Sequence, residues 1–239
     1  MKTLRSRWFS WPSITLFLGA GAVAWQMSSS AAEPAVMVAP PVVDNAKAPG
    51  KLRTAVLSGG CFWGVQGVYE HVRGVRNVLS GYAGGSRGTA DYETVSTGTT
   101  GHAESVQIIF DPAVVSYGEL LQVFFSVAHD PTQLNHQGFD RGTQYRSAIF
   151  FQDESQKRIA AAYIEQLNQS KVFAKPIVTR IDPLKGFYKA EAYHQDYLIN
   201  NPNDGYIVWN DLPKIENLKK MLPGYYRPQA VTVGELALR

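Results

Sequence analysis

The sequence predicts an α+β fold, a two-layer sandwich of helices packed on a sheet, for most of this 239-residue chain. A few short strand-like segments alternate with several amphipathic segments of helical period, and two long polar loops lie between them, at 84–103 and 129–147. Loops of that length in a compact domain usually carry function. The alternation begins near Leu52 and ends near Tyr226, so we expect a single domain over residues 52–226.

The predicted strands are short runs of β-branched and apolar residues, four of which end at Gly-rich or Asp-Pro turns. In chain order they are Thr54–Leu57, Val75–Tyr82, Val106–Phe110, Ala148–Phe151 and Ile177–Ile181.

The predicted helices carry apolar residues at helical spacing. The first, Cys61–Val72, follows a Ser-Gly-Gly turn. The second begins at Ser116, because Glu119 stands three residues later and completes a capping box. The remaining helices are Glu154–Asn168, Ala190–Asn200 and Lys214–Met221.

The positive net charge of +3 belongs to the N-terminus. Lys2, Arg5 and Arg7 precede the first acidic residue, Glu33, and the other 20 of the 23 Lys and Arg residues balance the 20 Asp and Glu residues. A nucleic-acid-binding domain is therefore not supported. The hydrophobic content of 45% excludes a wholly disordered chain.

Residues 1–32 have the order of an export signal: basic residues, an apolar run over 14–25, and small residues at 28–32. Because that run is shorter than the ~20 residues that span a bilayer, a cleaved signal peptide is favoured over an uncleaved anchor. We expect an exported protein of the bacterial periplasm, bound to the membrane only if the leader is retained. Residues 33–51, rich in Pro and Ala, are predicted to be an extended linker, and residues 227–239 form a C-terminal tail.

The single cysteine, Cys61, excludes an intramolecular disulfide and a Cys-based zinc or iron–sulfur site. It stands in SGGCFWG (58–64), where a strand ends and a helix begins. Backbone N–H groups at a helix N-terminus favour a thiolate, although a buried structural cysteine stays open on position alone. Trp63 occupies the second glycine position of a hydrolase nucleophile elbow, so that geometry is not supported.

Three other polar clusters are candidates for a site. Glu104 ends GHAE (101–104), and a carboxylic acid near an apolar pocket can act as a general acid. Asp140 and Tyr145 lie in a loop before a strand, where the phenol could donate a hydrogen bond and the acid could orient a donor. His194 and Tyr197 are three residues apart on a predicted helix and share a face. A surface charge, a salt-bridged hairpin and a core edge are the respective alternatives.

These segments together resemble the methionine sulfoxide reductase A family. The matching segments, in the expected order over residues 54–222, are GCFWG (60–64), GYAGG (81–85), Tyr92, GHAE (101–104), GTQYRS (142–147) and YHQDY (193–197). The resemblance implies a ferredoxin-like core, no bound cofactor and no metal. It also implies reduction of the S-epimer of methionine sulfoxide, free or in oxidised proteins that the enzyme repairs.

The resemblance also implies roles for individual residues. Cys61 would attack the sulfoxide sulfur and become a sulfenic acid. Glu104, with Tyr92 and Tyr145, would hydrogen-bond and protonate the sulfoxide oxygen, and Asp140 would support that network. The implied substrate-binding residues are Phe62 and Trp63, around the substrate methyl group, and the flanking His194 and Tyr197.

The chain departs from many relatives in lacking a resolving cysteine, since Ile207 follows Tyr206 where a Cys often stands. The Cys61 sulfenic acid cannot form a disulfide within this chain. We therefore expect an external thiol, a thioredoxin-like protein or a small thiol, to reduce it directly. We also expect a monomer.

Two other classes stay open from the residues alone. A cysteine hydrolase could pair Cys61 with His102, His129 or His194. A non-catalytic module could bind oxidised or Met-rich segments. A metal site is not expected, because no two histidines stand four residues apart.

Overall fold

The computed structural model describes residues 33–233, so the predicted leader at 1–32 and the end of the tail, 234–239, lie outside the described residues. Strands and helices are interspersed along the chain. In chain order they are β1 (Arg53–Ser58), α1 (Phe62–Glu70), β2 (Val75–Ala83), α2 (Tyr92–Val95), β3 (Ala103–Phe110), α3 (Tyr117–Val123), β4 (His136–Gln137), β5 (Asp140–Arg141), β6 (Ala148–Phe151), α4 (Glu154–Ser170), β7 (Arg180–Pro183), β8 (Phe187–Lys189), α5 (Tyr197–Asn200) and α6 (Leu212–Met221).

A six-stranded sheet in the order β7-β6-β1-β3-β2-β8 organises the molecule. Strand β1 pairs antiparallel with β3 and β6, and β2 pairs antiparallel with β3, whereas β6 and β7 are parallel. The elements β1, α1, β2, β3, α3 and β6 thus form the β-α-β-β-α-β unit of the ferredoxin-like fold. The predicted α+β sandwich with a ferredoxin-like core is confirmed.

The main core lies between one face of the sheet and the helices. Val106 and Ile108 of β3 and Leu120 of α3 belong to it, and none of them is exposed to solvent. Residues of the opposite sheet face, such as Val56 and Phe150, form a smaller buried cluster. The side chains of residues 103–110 therefore alternate between these two faces of the sheet.

Pairing between distant segments decides the start of two strands and the existence of a third, and there the structure differs from the sequence prediction. Strand β3 begins at Ala103, since Ala103 pairs with Ala83 of β2. Strand β7 begins at Arg180 instead of Ile177, because Arg180 is the first residue that pairs with β6. Strand β8, which pairs with the end of β2, was not predicted at all.

The predicted continuous helix Ala190–Asn200 is wrong. The structure has a 3₁₀ turn, Ala192–His194, followed by the short helix α5. Asp196 separates them in a left-handed conformation, with φ 53°. His194 and Tyr197 therefore do not share one helix face, although both lie near the end of α1 where Cys61 is found.

Residues 33–51 contain no helix or strand, but they pack along α3 and α4. Val38 is 1% exposed, and the Val36 N–H donates to Ser126 O at 2.9 Å. Asp44 accepts hydrogen bonds from the Gly118 N–H and the Ser116 hydroxyl. The prediction of a linker did not include these contacts.

The described part of the tail also packs on the domain, where the Val231 N–H donates to Glu70 O at 2.9 Å. Within residues 33–233, none of the helices is both long and apolar enough to cross a membrane.

Candidate active site

Cys61 lies between β1 and α1, directly before the first helical residue. Gly60 has φ +88°, a conformation that L side chains rarely adopt, and a Cβ there would lie 2.7 Å from Gln137 Cγ. This turn brings the Cys61 thiol, which is free and 9% exposed, to the floor of a narrow cavity.

The surroundings of Cys61 oppose its ionisation. Burial raises the pKa of the thiol well above its usual value, and the carboxyl groups of Glu104, Asp211 and Asp140 raise it further. The Trp63 backbone N–H lowers the pKa. The helix N-terminus thus lowers the pKa of the thiol, but burial raises it by more.

Glu104 lies on β3 and is 3% exposed. Its Oε2 accepts a hydrogen bond of 3.0 Å from the Phe62 backbone N–H, the peptide group next to Cys61. Burial raises the pKa of Glu104 to about 8, while this N–H opposes the rise. At neutral pH the carboxyl group is therefore mostly protonated and can donate a proton beside the thiol.

Three tyrosines supply further donors around the thiol. Burial raises the pKa of Tyr92, Tyr145 and Tyr206, and Cys61 itself contributes to the rise in each case. Their phenols therefore stay protonated. The Tyr206 hydroxyl donates to Asp140 Oδ2 at 2.5 Å.

An aromatic wall, formed by Trp63, Tyr197 and Tyr206, stands beside the thiol. The Trp63 ring stacks on Tyr197 with centroids 3.8 Å apart and meets the edge of Tyr206 at 5.9 Å. Trp63 Nε1 also donates to His194 Nδ1 at 3.1 Å. Because burial lowers the pKa of His194, its ring is neutral and serves to orient Trp63.

Phe62, which the resemblance assigns to the pocket for the methyl group, is 1% exposed. Its ring packs against His194 at 5.0 Å and against Tyr82 at 5.9 Å. The structure therefore places Phe62 behind the aromatic wall and Trp63 within it.

Sequence reasoning missed several residues of this site. Tyr206 and Lys214 line the cavity together with Cys61, and so do Glu33, Gln137 and Asn210. These residues come from three distant segments that only the fold brings together. The available signal for Tyr206 was its position beside the expected resolving cysteine.

Each histidine considered as a hydrolase base has another partner. His102 accepts from the Gly85 N–H, His129 Nε2 lies 2.7 Å from Ser147 Oγ, and His194 accepts from Trp63. Among residues 33–233, no hydrogen bond joins an imidazole to Cys61. In the same range, no group of three or more His, Cys, Asp or Glu side chains could hold a metal ion. A hydrolase is therefore not favoured.

A thiol that faces a protonated carboxyl group and several phenols defines a class of thiol enzyme that protonates an oxygen while the sulfur attacks. Comparisons with known proteins identify the family within that class. The family model for peptide methionine sulfoxide reductase matches residues 53–224. This chain belongs to the peptide methionine sulfoxide reductase family.

Individual relatives agree with this assignment. Peptide methionine sulfoxide reductase MsrA 2 of Mesorhizobium japonicum is 58% identical over 191 residues, 80% of this chain and 97% of the relative. MsrA 2 of Synechocystis is 51% identical, over 74% of this chain and 82% of the relative. Methionine sulfoxide reductase A of Corynebacterium diphtheriae has a similar solved structure, with a TM-score of 0.55 and 32% identity over 72% of this chain and 87% of that one. The structure of reduced Mxr1 from Saccharomyces cerevisiae is also similar, with a TM-score of 0.57 and 34% identity over 68% of this chain and 92% of that one.

Proposed function

We propose that this protein reduces the S-epimer of methionine sulfoxide, free and in proteins, with Cys61 as the nucleophile. The observation that carries the proposal is the placement of Glu104. Its carboxyl group has a pKa raised to about 8 and hydrogen-bonds to the peptide N–H that follows Cys61. A proton donor thus stands beside the one thiol of the chain.

The reaction transfers the sulfoxide oxygen to the enzyme. The Cys61 thiolate attacks the sulfoxide sulfur while Glu104, assisted by Tyr92 and Tyr145, gives a proton to the sulfoxide oxygen. This attack forms a bond between the two sulfur atoms while the S–O bond of the substrate breaks. The sulfur–sulfur bond then breaks as the oxygen adds to the Cys61 sulfur, so methionine leaves with the bonding electron pair and Cys61 becomes a sulfenic acid. The substrate sulfur gains two electrons and the Cys61 sulfur loses two.

The aromatic wall supports recognition of the substrate. Sulfur and its methyl group make favourable contacts with aromatic rings. Trp63 is the wall residue whose neighbours fix it on three sides: Tyr197 by stacking, Tyr206 by its edge and His194 by a hydrogen bond. This rigid ring would hold the methyl group while the sulfoxide oxygen points towards Glu104.

An external thiol completes the cycle. Two thiols supply two electrons, Cys61 returns to its thiol, and the sulfenic oxygen leaves as water while the reductant becomes a disulfide. A thioredoxin-like protein or a small thiol would serve. Mass spectrometry after turnover without reductant should find one added oxygen on Cys61, and an intramolecular crosslink would exclude this route.

Resolved S- and R-epimers of a methionine sulfoxide peptide test the reaction itself. With dithiothreitol as reductant, we expect turnover of the S-epimer alone, and none by Cys61→Ser. Activity confined to the R-epimer would contradict the family reaction, and activity of Cys61→Ser would remove Cys61 from it.

The proposal also includes export to the periplasm, supported by the order of basic, apolar and small residues at 1–32. Cell fractionation and N-terminal sequencing of the exported protein test it. A new N-terminus near residue 33 is expected for cleavage, and an intact leader in the membrane fraction for an anchor.

A further inference from the structure

A buried ion pair lies against the first turn of α1 and has no part in the mechanism above. Lys214 Nζ is 3.1 Å from Asp211 Oδ1, and the exposed fractions of the two side chains are 8% and 0%. Lys214 also lines the cavity that contains Cys61. A buried pair of this kind contributes little net stability.

Gly64, the last residue of the GCFWG segment, gives the pair its position. A Cβ at residue 64 would lie 2.1 Å from Asp211 Oδ1 and 3.0 Å from Lys214 Nζ. The ion pair therefore occupies the space that any larger side chain would fill. Gly64 lies in the first turn of α1, three residues after Cys61, so the pair lies against the turn that Cys61 directly precedes.

The negative charges around Cys61 disfavour its thiolate form, and a nearby cation would offset them. Glu104 from β3, Asp140 from β5 and Asp211 before α6 all raise the pKa of the thiol. Tyr92, Tyr145 and Tyr206 are neutral donors, and Glu33 adds a further carboxyl group to the cavity. Among the described residues that line this cavity, Lys214 is the cation.

Lys214 keeps its charge in spite of burial. Burial alone would lower its pKa, but Asp211 and Glu33 outweigh that effect and raise the pKa above its usual value. An ammonium group that stays protonated is what a neighbouring thiolate requires.

We propose that Lys214, held in place by Asp211, is a positioning residue that stabilises the Cys61 thiolate. Asp211 fixes the ammonium by its hydrogen bond, and Gly64 leaves room for both. The catalytic relevance of the thiolate rests on the proposed function, but the effect of Lys214 on ionisation does not.

Alkylation of Cys61 by iodoacetamide tests this inference without any sulfoxide. Cys61 is the one cysteine, so the pH midpoint of the alkylation rate reports its ionisation directly. Lys214→Gln keeps a hydrogen-bond donor for Asp211 but removes the charge. Lys214→Gln should raise the pH midpoint by about one unit. Alkylation below the midpoint should then be roughly tenfold slower.

Two further variants separate charge from structure. Lys214→Arg retains the charge and should restore a midpoint near that of the unchanged protein. Asp211→Asn keeps an acceptor for Lys214 while removing a negative charge, so it should lower the midpoint. If Lys214 and Asp211 only supported the fold, Lys214→Gln and Asp211→Asn would not shift the midpoint in opposite directions.

The outcomes are distinct from those of the epimer assay. A folded Lys214→Gln protein with an unchanged midpoint would overturn the role of Lys214 and leave the reductase reaction intact. If Lys214→Gln does not fold, as judged by circular dichroism, Lys214→Met decides the question, because it keeps the length of the side chain and removes its charge, and an unchanged midpoint overturns the inference. Lack of turnover by the unchanged protein would instead refute the proposed function.

Discussion

Glu104 shows how one buried side chain sets the pH range in which this site can act. With a pKa of about 8, its carboxyl group is protonated below that pH and loses its proton above it. We therefore expect the single-turnover rate of sulfoxide reduction to lose the help of the acid as pH rises through about 8. Glu104→Gln should remove this fall in rate near pH 8 and lower the rate itself by about 10²–10⁴-fold.

Rapid-quench measurements between pH 6 and 10, with saturating S-epimer, follow this rate. Glu93→Gln is the matched control, because Glu93 is an exposed acid on α2. A Glu104→Gln protein with the same rate and the same pH profile as the control would show that Glu104 is not the proton donor.

The same carboxyl group should cost stability at high pH. The pKa of Glu104 is about 8 in the folded protein, against about 4.3 in an unfolded chain. Between these values the unfolded state binds fewer protons, so the free energy of unfolding falls as pH rises. Glu104→Gln should therefore be more stable than the unchanged protein at pH 9, on the order of 2–5 kcal/mol.

Urea denaturation at pH 5 and pH 9 measures this difference, which should shrink at the lower pH, where the folded protein keeps the acid protonated. An equal difference at both values would mean that packing, and not ionisation, distinguishes the two proteins.

Among the structural elements, those with local signals were predictable from sequence. The capping box of α3 is an example, since Ser116 and Glu119 bond reciprocally at 2.8 and 3.1 Å as their spacing indicates. The helix expected over Ala190–Asn200 fails because distant contacts override its pattern. The Gln195 side chain there bonds both the N–H and the C=O of Ser80, at 3.0 Å each.

The residues of the site fall into the same two groups, those with a local sequence signal and those that only distant contacts bring into place. Cys61 and Glu104 stand in recognisable segments next to strand ends, and the structure brings them together through the Phe62 N–H. Tyr206 and Lys214 do not stand in recognisable segments of this kind. They reach Cys61 only because residues 206–214 fold back across the end of α1.

Gly64 offers a test of packing at the level of the element. Ala is the better helix former, by about 1 kcal/mol, yet its Cβ would lie 2.1 Å from Asp211 Oδ1. Gly64→Ala should therefore destabilise the protein by about 1–3 kcal/mol through overpacking. Thermal denaturation measures this, and Gly205→Ala is the control, because nothing lies within 4 Å of a Cβ at residue 205. A Gly64→Ala protein as stable as the control would contradict the close approach of Asp211.

For the molecule as a whole, the segment 33–51 changes where the folded unit begins. It crosses α3 and α4 and brings Glu33 to the cavity of Cys61. Tyr163 of α4 donates its hydroxyl to Ala39 O at 2.6 Å, and Gln122 of α3 donates to Val38 O at 3.0 Å. A segment rich in Pro and Ala can thus be extended and still be bound, because its carbonyl groups accept from the domain.

Two variants in this segment test whether these contacts stabilise the protein. Val38→Ala removes apolar atoms from a side chain that is 1% exposed and should lower the free energy of unfolding by about 1–3 kcal/mol. Asp44→Ala leaves the Gly118 N–H and the Ser116 hydroxyl without their acceptor and should cost about 1–2 kcal/mol. Val42→Ala is the control within the same segment, since Val42 is 85% exposed and its truncation should change stability by less than about 0.5 kcal/mol. Urea denaturation followed by tryptophan fluorescence measures all three. If Val38→Ala and Asp44→Ala behave like Val42→Ala, residues 33–51 act as a free linker and the folded unit begins at β1.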